Sequence, residues 1–321
     1  MSNLYLTRHG LSLNKEEGKI VIKKDGEVLN RIPIKFVNNV IVIAAVQITY
    51  GAVSSILGNG GSITYLASDG SIRGILGGFK NNGLKIVKQA EAYLELNKRL
   101  ALAKYFVKNK ISQQRNFIAV YNRKFKNNIL ENTVKKLGYF INLCDKQETI
   151  NKLLGIEGIT ARIYFDCYNT LLEKSGFVWN GRNRRPPKDP VNAMLSFAYC
   201  LLEKEIKYLI NGEGYHCGIG YLHSLSNTDN AFVYDVMELL RTSAAEKFVF
   251  KCINYGWLKP DDFQCNDSGC FMTETARSVF IQRFEECMAE ANFEGKTLQE
   301  QILQKLSEID SYIEKGILLS A

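Results

Sequence analysis

The period of the apolar positions changes once along this chain. Through about residue 78, short strand-like runs, most of them rich in β-branched residues, occupy positions 4–6, 19–23, 26–34, 39–43 and 62–66. Turn formers separate them: Lys24-Asp-Gly, Asn59-Gly-Gly and Ser68-Asp-Gly-Ser. Runs of that kind predict strands. Positions 48–57 break the pattern and read as one short helix. From Leu84 onwards the period lengthens to about 3.6 residues. Val87, Ala90, Tyr93, Leu94, Leu96, Leu100, Ala103 and Phe106 fit one face of a long helix, with Lys and Arg on the other. Further helices are expected at 113–127, 128–137, 146–154, 158–172, 191–209, 231–243, 246–255, 274–291 and 298–315. The expected fold class is α+β: a small N-terminal β domain over residues 1–79, a hinge around 78–83, and a large all-α domain over 80–321.

Composition narrows the function classes. At 321 residues, 46% hydrophobic and 23% charged, the chain has room for two domains and an ordinary globular make-up. Its longest apolar run, positions 40–46, is far too short to cross a bilayer. The opening MSNLYLTRHG lacks the charged and apolar regions of a secretory signal. A cytoplasmic protein without a membrane partner is expected. Most of the eight cysteines sit singly in apolar stretches and read as free thiols. Cys265 and Cys270 have the spacing of half a zinc site, but no second pair completes it, so buried or loop thiols are expected there too.

Charge changes the picture more. The formal net charge is +8, and it is unevenly placed. Between Lys80 and Lys136 there are 14 Lys and Arg against three acids, a local +11, while the rest of the chain carries −3. A second compact cluster is the loop Gly181-Arg-Asn-Arg-Arg-Pro-Pro-Lys188. Concentrated positive charge is the footprint of a polyanion, and Arg forks suit phosphate. A solvated helix face is the plainer alternative for the first cluster.

Three places carry candidate chemistry. In Leu154-Gly-Ile-Glu-Gly-Ile-Thr-Ala-Arg162, Glu157 lies among apolar residues at what reads as a helix start. A carboxylate there needs a cation or donor, unless it simply complements the helix dipole. His223 ends the segment Gly218-Ile-Gly-Tyr-Leu-His, and a lone His is either a ligand or a satisfied structural residue. In Ala231-Phe-Val-Tyr-Asp-Val-Met-Glu-Leu-Leu-Arg241, Asp235 and Glu238 are three apart on one helix face. Paired carboxylates call for a proton or a divalent cation between them. The alternative is an intrahelical ion pair of Glu238 with Arg241.

Taken in order, these segments resemble a known family. Gly-Ile-Glu-Gly…Ala-Arg-Ile-Tyr-Phe, the Arg/Pro loop running into Asn192-Ala-Met-Leu-Ser-Phe, Gly-Ile-Gly-Tyr-Leu-His and Phe-Val-Tyr-Asp-Val-Met-Glu are similar to the CRISPR-associated spacer integrase and endonuclease family, that of the first numbered Cas protein, Cas-one. The N-terminal strand pattern is similar to that family's as well. After Glu238, many members read Arg-Pro where this chain has Arg241-Thr242.

The resemblance implies a set of expectations. Glu157, His223 and Glu238 would hold one divalent metal, Mg²⁺ or Mn²⁺, with Asp235 a further catalytic acid beside it. Arg182, Arg184, Arg185 and Lys188 would hold DNA phosphates, as would Arg162 unless it is an ion-pair partner. Asn192 would orient the site, whereas Trp179 and Tyr164 are expected in the core. The reaction implied joins the 3′-hydroxyl of a short protospacer duplex to the end of a CRISPR repeat, and with water in its place cleaves DNA. The partners implied are double-stranded DNA, a second copy of the chain meeting it through the β domain, and the small second numbered Cas protein, Cas-two, bridging two dimers. A non-catalytic DNA-binding scaffold is the competing reading.

Overall fold

Short strands build the N-terminal part: Asn39–Val42 is buried throughout, and Leu11–Glu16 begins by alternating buried with half-buried positions. In the computed structural model, which describes residues 3–67, 69–77, 82–184, 186–225 and 228–316, the chain divides into two compact units, Met1–Lys80 and Asn81–Ala321. Most of the expected hinge and Arg185 lie outside the described residues. The first unit runs β1 (Asn3–Leu6), β2 (Leu11–Glu16), β3 (Lys19–Lys24), β4 (Glu27–Pro33), β5 (Asn39–Val42), β6 (Val46–Ile48), α1 (Tyr50–Gly58), β7 (Ser62–Leu66) and β8 (Ile72–Leu76). Two four-stranded sheets result, ordered β1-β5-β7-β8 and β4-β3-β2-β6. The first is parallel except at β8, and the second is an antiparallel meander with β6 added parallel to β2. Leu6, Leu13, Ile20, Val40, Ile56 and Ile63 meet in one buried cluster. The β3–β4 turn places Asp25 and Gly26 at φ of 50° and 87°, the left-handed pair that a two-residue hairpin requires.

The second unit is mainly helical: α2 (Gly83–Leu94), α3 (Leu96–Phe125), α4 (Asn128–Asp145), α5 (Ile150–Asp166), α6 (Tyr168–Leu172), α7 (Pro190–Gly212), α8 (Ala231–Glu238), a π-helical turn at Arg241–Glu246, α9 (Lys247–Asn254), α10 (Glu274–Ala289) and α11 (Leu298–Lys315). It is not all-α. A hairpin of β9 (Phe263–Asn266) and β10 (Gly269–Met272) interrupts it, and Cys265 and Cys270, expected as thiols, face each other across that hairpin as a disulfide. The Cys270 N–H donates to the Pro187 carbonyl at 2.7 Å, so the hairpin also supports the Arg/Pro loop. No described helix is long and apolar enough to cross a membrane.

Several expected helix boundaries move: the long helix expected from Leu84 breaks at Glu95 into α2 and α3, and α3 runs on through the helix expected separately at 113–127. The segments expected at 146–154 and 158–172 are joined through Gly155 and Gly158 into α5. Each glycine costs a helix about 1 kcal/mol, and burial of Leu153, Ile156, Thr160 and Tyr164 along one stripe offsets it. The helix expected to run from 231 to 243 ends at Glu238 and passes into the π turn.

The basic stretch is answered in part from within the chain. Lys85 and Lys88 pair with Asp310 at 3.5 Å and Glu314 at 2.6 Å on α11. Lys98, Lys108 and Lys135 pair with Glu95, Asp145 and Glu131 at 2.8, 2.8 and 2.6 Å. Arg115, Arg123, Lys124 and Lys126, toward the end of α3 and just past it, and Lys136 on α4 are exposed and suit a phosphate backbone.

Candidate active site

Glycine at position 220 lets the site assemble. A Cβ there would lie 2.6 Å from the carbonyl carbon of Ala231, so the preceding loop can lie against the start of α8 only with no side chain at that point. This close approach sets three successive backbone N–H groups on Asp235, which is fully buried. Its Oδ2 accepts from Tyr221 and from Leu222, the latter at 3.0 Å. Its Oδ1 accepts the His223 N–H at 3.0 Å and faces His223 Nδ1 at 2.7 Å. A carboxylate partner requires the proton on Nδ1, which leaves the Nε2 lone pair free to ligate. Burial lowers the pKa of His223, but the hydrogen bond and charge of Asp235 outweigh it, and the imidazole pKa is raised.

Glu157 and Glu238 come together through a lysine. Lys110 on α3 is 3% exposed, and its ammonium pairs with Glu157 Oε1 on α5 and, at 2.8 Å, with Glu238 Oε2 on α8. Arg241 Nη1 lies 3.1 Å from the other Glu238 oxygen. Desolvation pushes the Glu238 carboxyl pKa up; Arg241 and Lys110 together outweigh it and hold the value at about 2. Gln113 on α3 donates to the Leu239 carbonyl and ties the end of α8 to the same helix. Among the described residues, Glu238 Oε2 and Arg241 Nε have no hydrogen bond of ordinary geometry. Beyond Arg241 the cluster continues inward, where the guanidinium lies over the Tyr199 ring at 4.8 Å. Tyr199 and Tyr164 each donate to buried Glu246 at 2.7 Å.

Three expectations change here. Glu157 lies in the middle of α5, so the helix-dipole reading falls. Asp235 and Glu238 share a helix face but no cation: the first is committed to the His223 loop, the second to Lys110 and Arg241. The Glu238–Arg241 pair does form, buried rather than on the surface. Sequence reasoning places Lys110 on a solvated or DNA-facing helix surface, and the structure buries it. The one signal in the sequence is its place in the stripe Ala103, Val107, Lys110, Gln114 of α3.

The basic loop divides in the same way. Arg182 turns inward, donating to Asn192 Oδ1 at 2.7 Å and Ser196 Oγ at 3.2 Å, with its guanidinium 5.4 Å from the Tyr199 ring. It braces the loop instead of facing solvent. Buried Asn192 completes that brace through Gly181 and Asp189. Arg184 and Lys188 are exposed, as is Arg162 on α5. Trp179 and Tyr164 lie in the core as expected. The double variant Arg184→Ala/Lys188→Ala is therefore expected to reduce the slope of log affinity for duplex DNA against log salt by about 2. Arg182→Ala lowers the melting temperature instead. Fluorescence anisotropy across a salt series checks this, and an unchanged slope in the double variant refutes it.

Among the described residues, no three His, Cys, Asp or Glu side chains already surround one point as a finished metal centre. The donor chemistry nevertheless fits a divalent cation: two carboxylates meet around one positive charge and, among the described residues, Glu238 Oε2 is short of a hydrogen bond and His223 Nε2 has no described partner.

Comparisons with known proteins identify the family of the chain. The family model described as CRISPR associated protein Cas1 matches residues 4–286. The CRISPR-associated endonuclease Cas1 1 of Thermus thermophilus is 28% identical over 293 residues, covering 89% of this chain and 87% of its own. A Cas6-RT-Cas1–Cas2 complex is similar in fold, with a TM-score of 0.84 at 22% identity over 98% of this chain and 35% of that one. A casposase bound to its integration product reaches 0.83 at 21% identity over 99% and 92%. With the match running through both sheets and all of the candidate site, the chain belongs to the Cas1 family of CRISPR-associated proteins.

Proposed function

We propose that this chain is a metal-dependent DNA endonuclease and integrase of CRISPR adaptation. It joins the 3′-hydroxyl of a short duplex to a phosphodiester at a repeat end. The observation that carries the reading is the convergence of Glu157 and Glu238 on one cationic position, together with a His223 ring whose tautomer Asp235 fixes. The endonuclease name of the Thermus relative and the fold shared with the DNA-bound casposase support it.

Phosphoryl transfer asks a protein mainly for positioning and charge. Glu157, Glu238 and His223 would hold a divalent ion, which would supply Lewis acidity toward the scissile phosphate and acidify the attacking hydroxyl. The mixed oxygen and nitrogen donors favour Mn²⁺ over Mg²⁺. Asp235 keeps the imidazole oriented. Arg241 adds fixed positive charge beside Glu238, and Arg184, Arg185 and Lys188 hold the DNA backbone. With water in place of the hydroxyl the same site cleaves DNA. Residues 1–79 serve dimerisation in this reading, and Cas-two bridges two dimers, consistent with the fold shared with a Cas1–Cas2 complex.

Glu157→Gln and His223→Ala are each expected to abolish strand transfer into a repeat-containing plasmid while DNA binding stays near wild type. Sequencing the junctions formed with Cas-two and Mn²⁺ measures the first, anisotropy the second. Full transfer by either variant overturns the site. Absent transfer by the unaltered protein favours the scaffold reading.

A further inference from the structure

We propose that Lys110 is the tethered counter-cation of the active site: its ammonium holds Glu157 and Glu238 together when no divalent ion is bound, and a divalent ion enters by displacing it. The inference rests on the reading that these carboxylates bind metal.

Burial is the first argument. The Lys110 side chain is 3% exposed and lies on the apolar face of α3. An ammonium in that position is strongly disfavoured unless it is paired. Its two partners come from different helices, α5 and α8, and nothing else among the described contacts links those carboxylates. Without a positive charge between them they would repel, and one would take up a proton or the helices would part. Lys110 thus does for the metal-free protein what a bound cation does for the loaded one.

Charge balance is the second argument. Glu157 and Glu238 carry two negative charges, and Lys110 and Arg241 carry two positive ones. Adding a divalent ion while both bases stay would leave these four side chains two charges in excess. Arg241 is held at the far Glu238 oxygen and over Tyr199, so it stays. Lys110 sits on a flexible four-carbon stem, and its contact with Glu238 Oε2 lacks hydrogen-bond geometry. It is the cation that can leave. The site is then preformed without metal, at a cost in affinity. If the ammonium occupies the position about nine-tenths of the time, apparent metal affinity falls about tenfold.

The test is Mn²⁺ titration of the full chain by calorimetry, without DNA, in the unaltered protein and in Lys110→Met. Tighter binding by the variant, about tenfold, and a larger Mn²⁺-induced rise in its melting temperature support the proposal. Binding by both with no gain in the variant overturns it alone. Uptake of Mn²⁺ by neither overturns the metal reading as well. Should Lys110→Met fail to fold, crystals of the unaltered protein grown with Mn²⁺ decide the matter. Lys110 Nζ out of ion-pair distance of both carboxylates supports displacement, and Nζ still between them beside a bound ion overturns it.

Discussion

Glu238→Gln is expected to abolish strand transfer and, unlike other changes at the site, to remove much of the protein's stability. The carboxylate is 3% exposed and is the shared partner of Lys110 and Arg241. Neutralising it leaves two buried cations facing each other with one weaker acceptor between them. Breaking a buried pair from one side typically costs about 3–5 kcal/mol, on the order of 10 °C in melting temperature for a unit of this size. Glu157 is 24% exposed, so Glu157→Gln should lose transfer equally and stability far less. The pH dependence has a definite sign. The Glu238 carboxyl is depressed from an ordinary 4.5 to about 2 in the folded protein. Its stabilisation is present above the ordinary value and is lost as pH falls from there toward 2. Urea denaturation at neutral and acid pH should show a steep acid loss in the unaltered protein and a shallower one in Glu238→Gln. Equal stability of the two proteins at neutral pH would mean that the buried charges are not coupled in this way.

The expectations that held share a physical origin, and so do those that failed. Strands β3, β4, β5 and β7 announce themselves through β-branched runs, and β1 through its Leu-Tyr-Leu apolar run. β2 is built on leucine and polar residues, β6 has three residues, and β8 carries Gly74, so each is stabilised by pairing rather than by its own propensity. The glycines beside Glu157 read locally as a helix start, but tertiary burial of the neighbouring stripe carries the helix through them. Long-range pairing was the least legible of all. That Lys110 would meet Glu157, 47 positions away, and that the acidic α11 would answer Lys85 and Lys88, are consequences of helix packing with no local mark. The family motifs, by contrast, single out Glu157, His223 and Glu238 as candidates from short segments, although what orients each comes from elsewhere: Asp235 for His223, and Lys110 for Glu157 and Glu238.

Asp235→Asn shows how far one such segment controls the site. All four contacts described for the carboxylate are with groups of the His223 loop: two backbone N–H groups at Oδ2, and a third together with the imidazole Nδ1 at Oδ1. An amide has only one acceptor oxygen, so in either orientation its NH₂ faces donors. The loop must shift, and His223 loses the partner that fixes its tautomer. Loss of an orienting partner of this kind costs about 10–100-fold in metal affinity or activity, which Mn²⁺ titration and strand-transfer rates measure directly. The pH profiles must move as well. Burial lowers the His223 pKa and Asp235 raises it by more, so the folded value lies above the ordinary 6.5. The stability drawn from the charged His223–Asp235 pair is present below 6.5 and is lost as pH rises through the raised value. Metal uptake has the opposite requirement, a deprotonated Nε2, and rises over the same interval. In Asp235→Asn the largest raising influence is gone, and burial and Arg241 act against Glu238 only: the acid limb of Mn²⁺ binding should move to lower pH even as the maximum falls, and the loss of stability across that interval should disappear. A variant with weakened binding and an unmoved acid limb would show that Asp235 supports the loop without governing the imidazole, and the assignment of His223 as a metal ligand would fall with it.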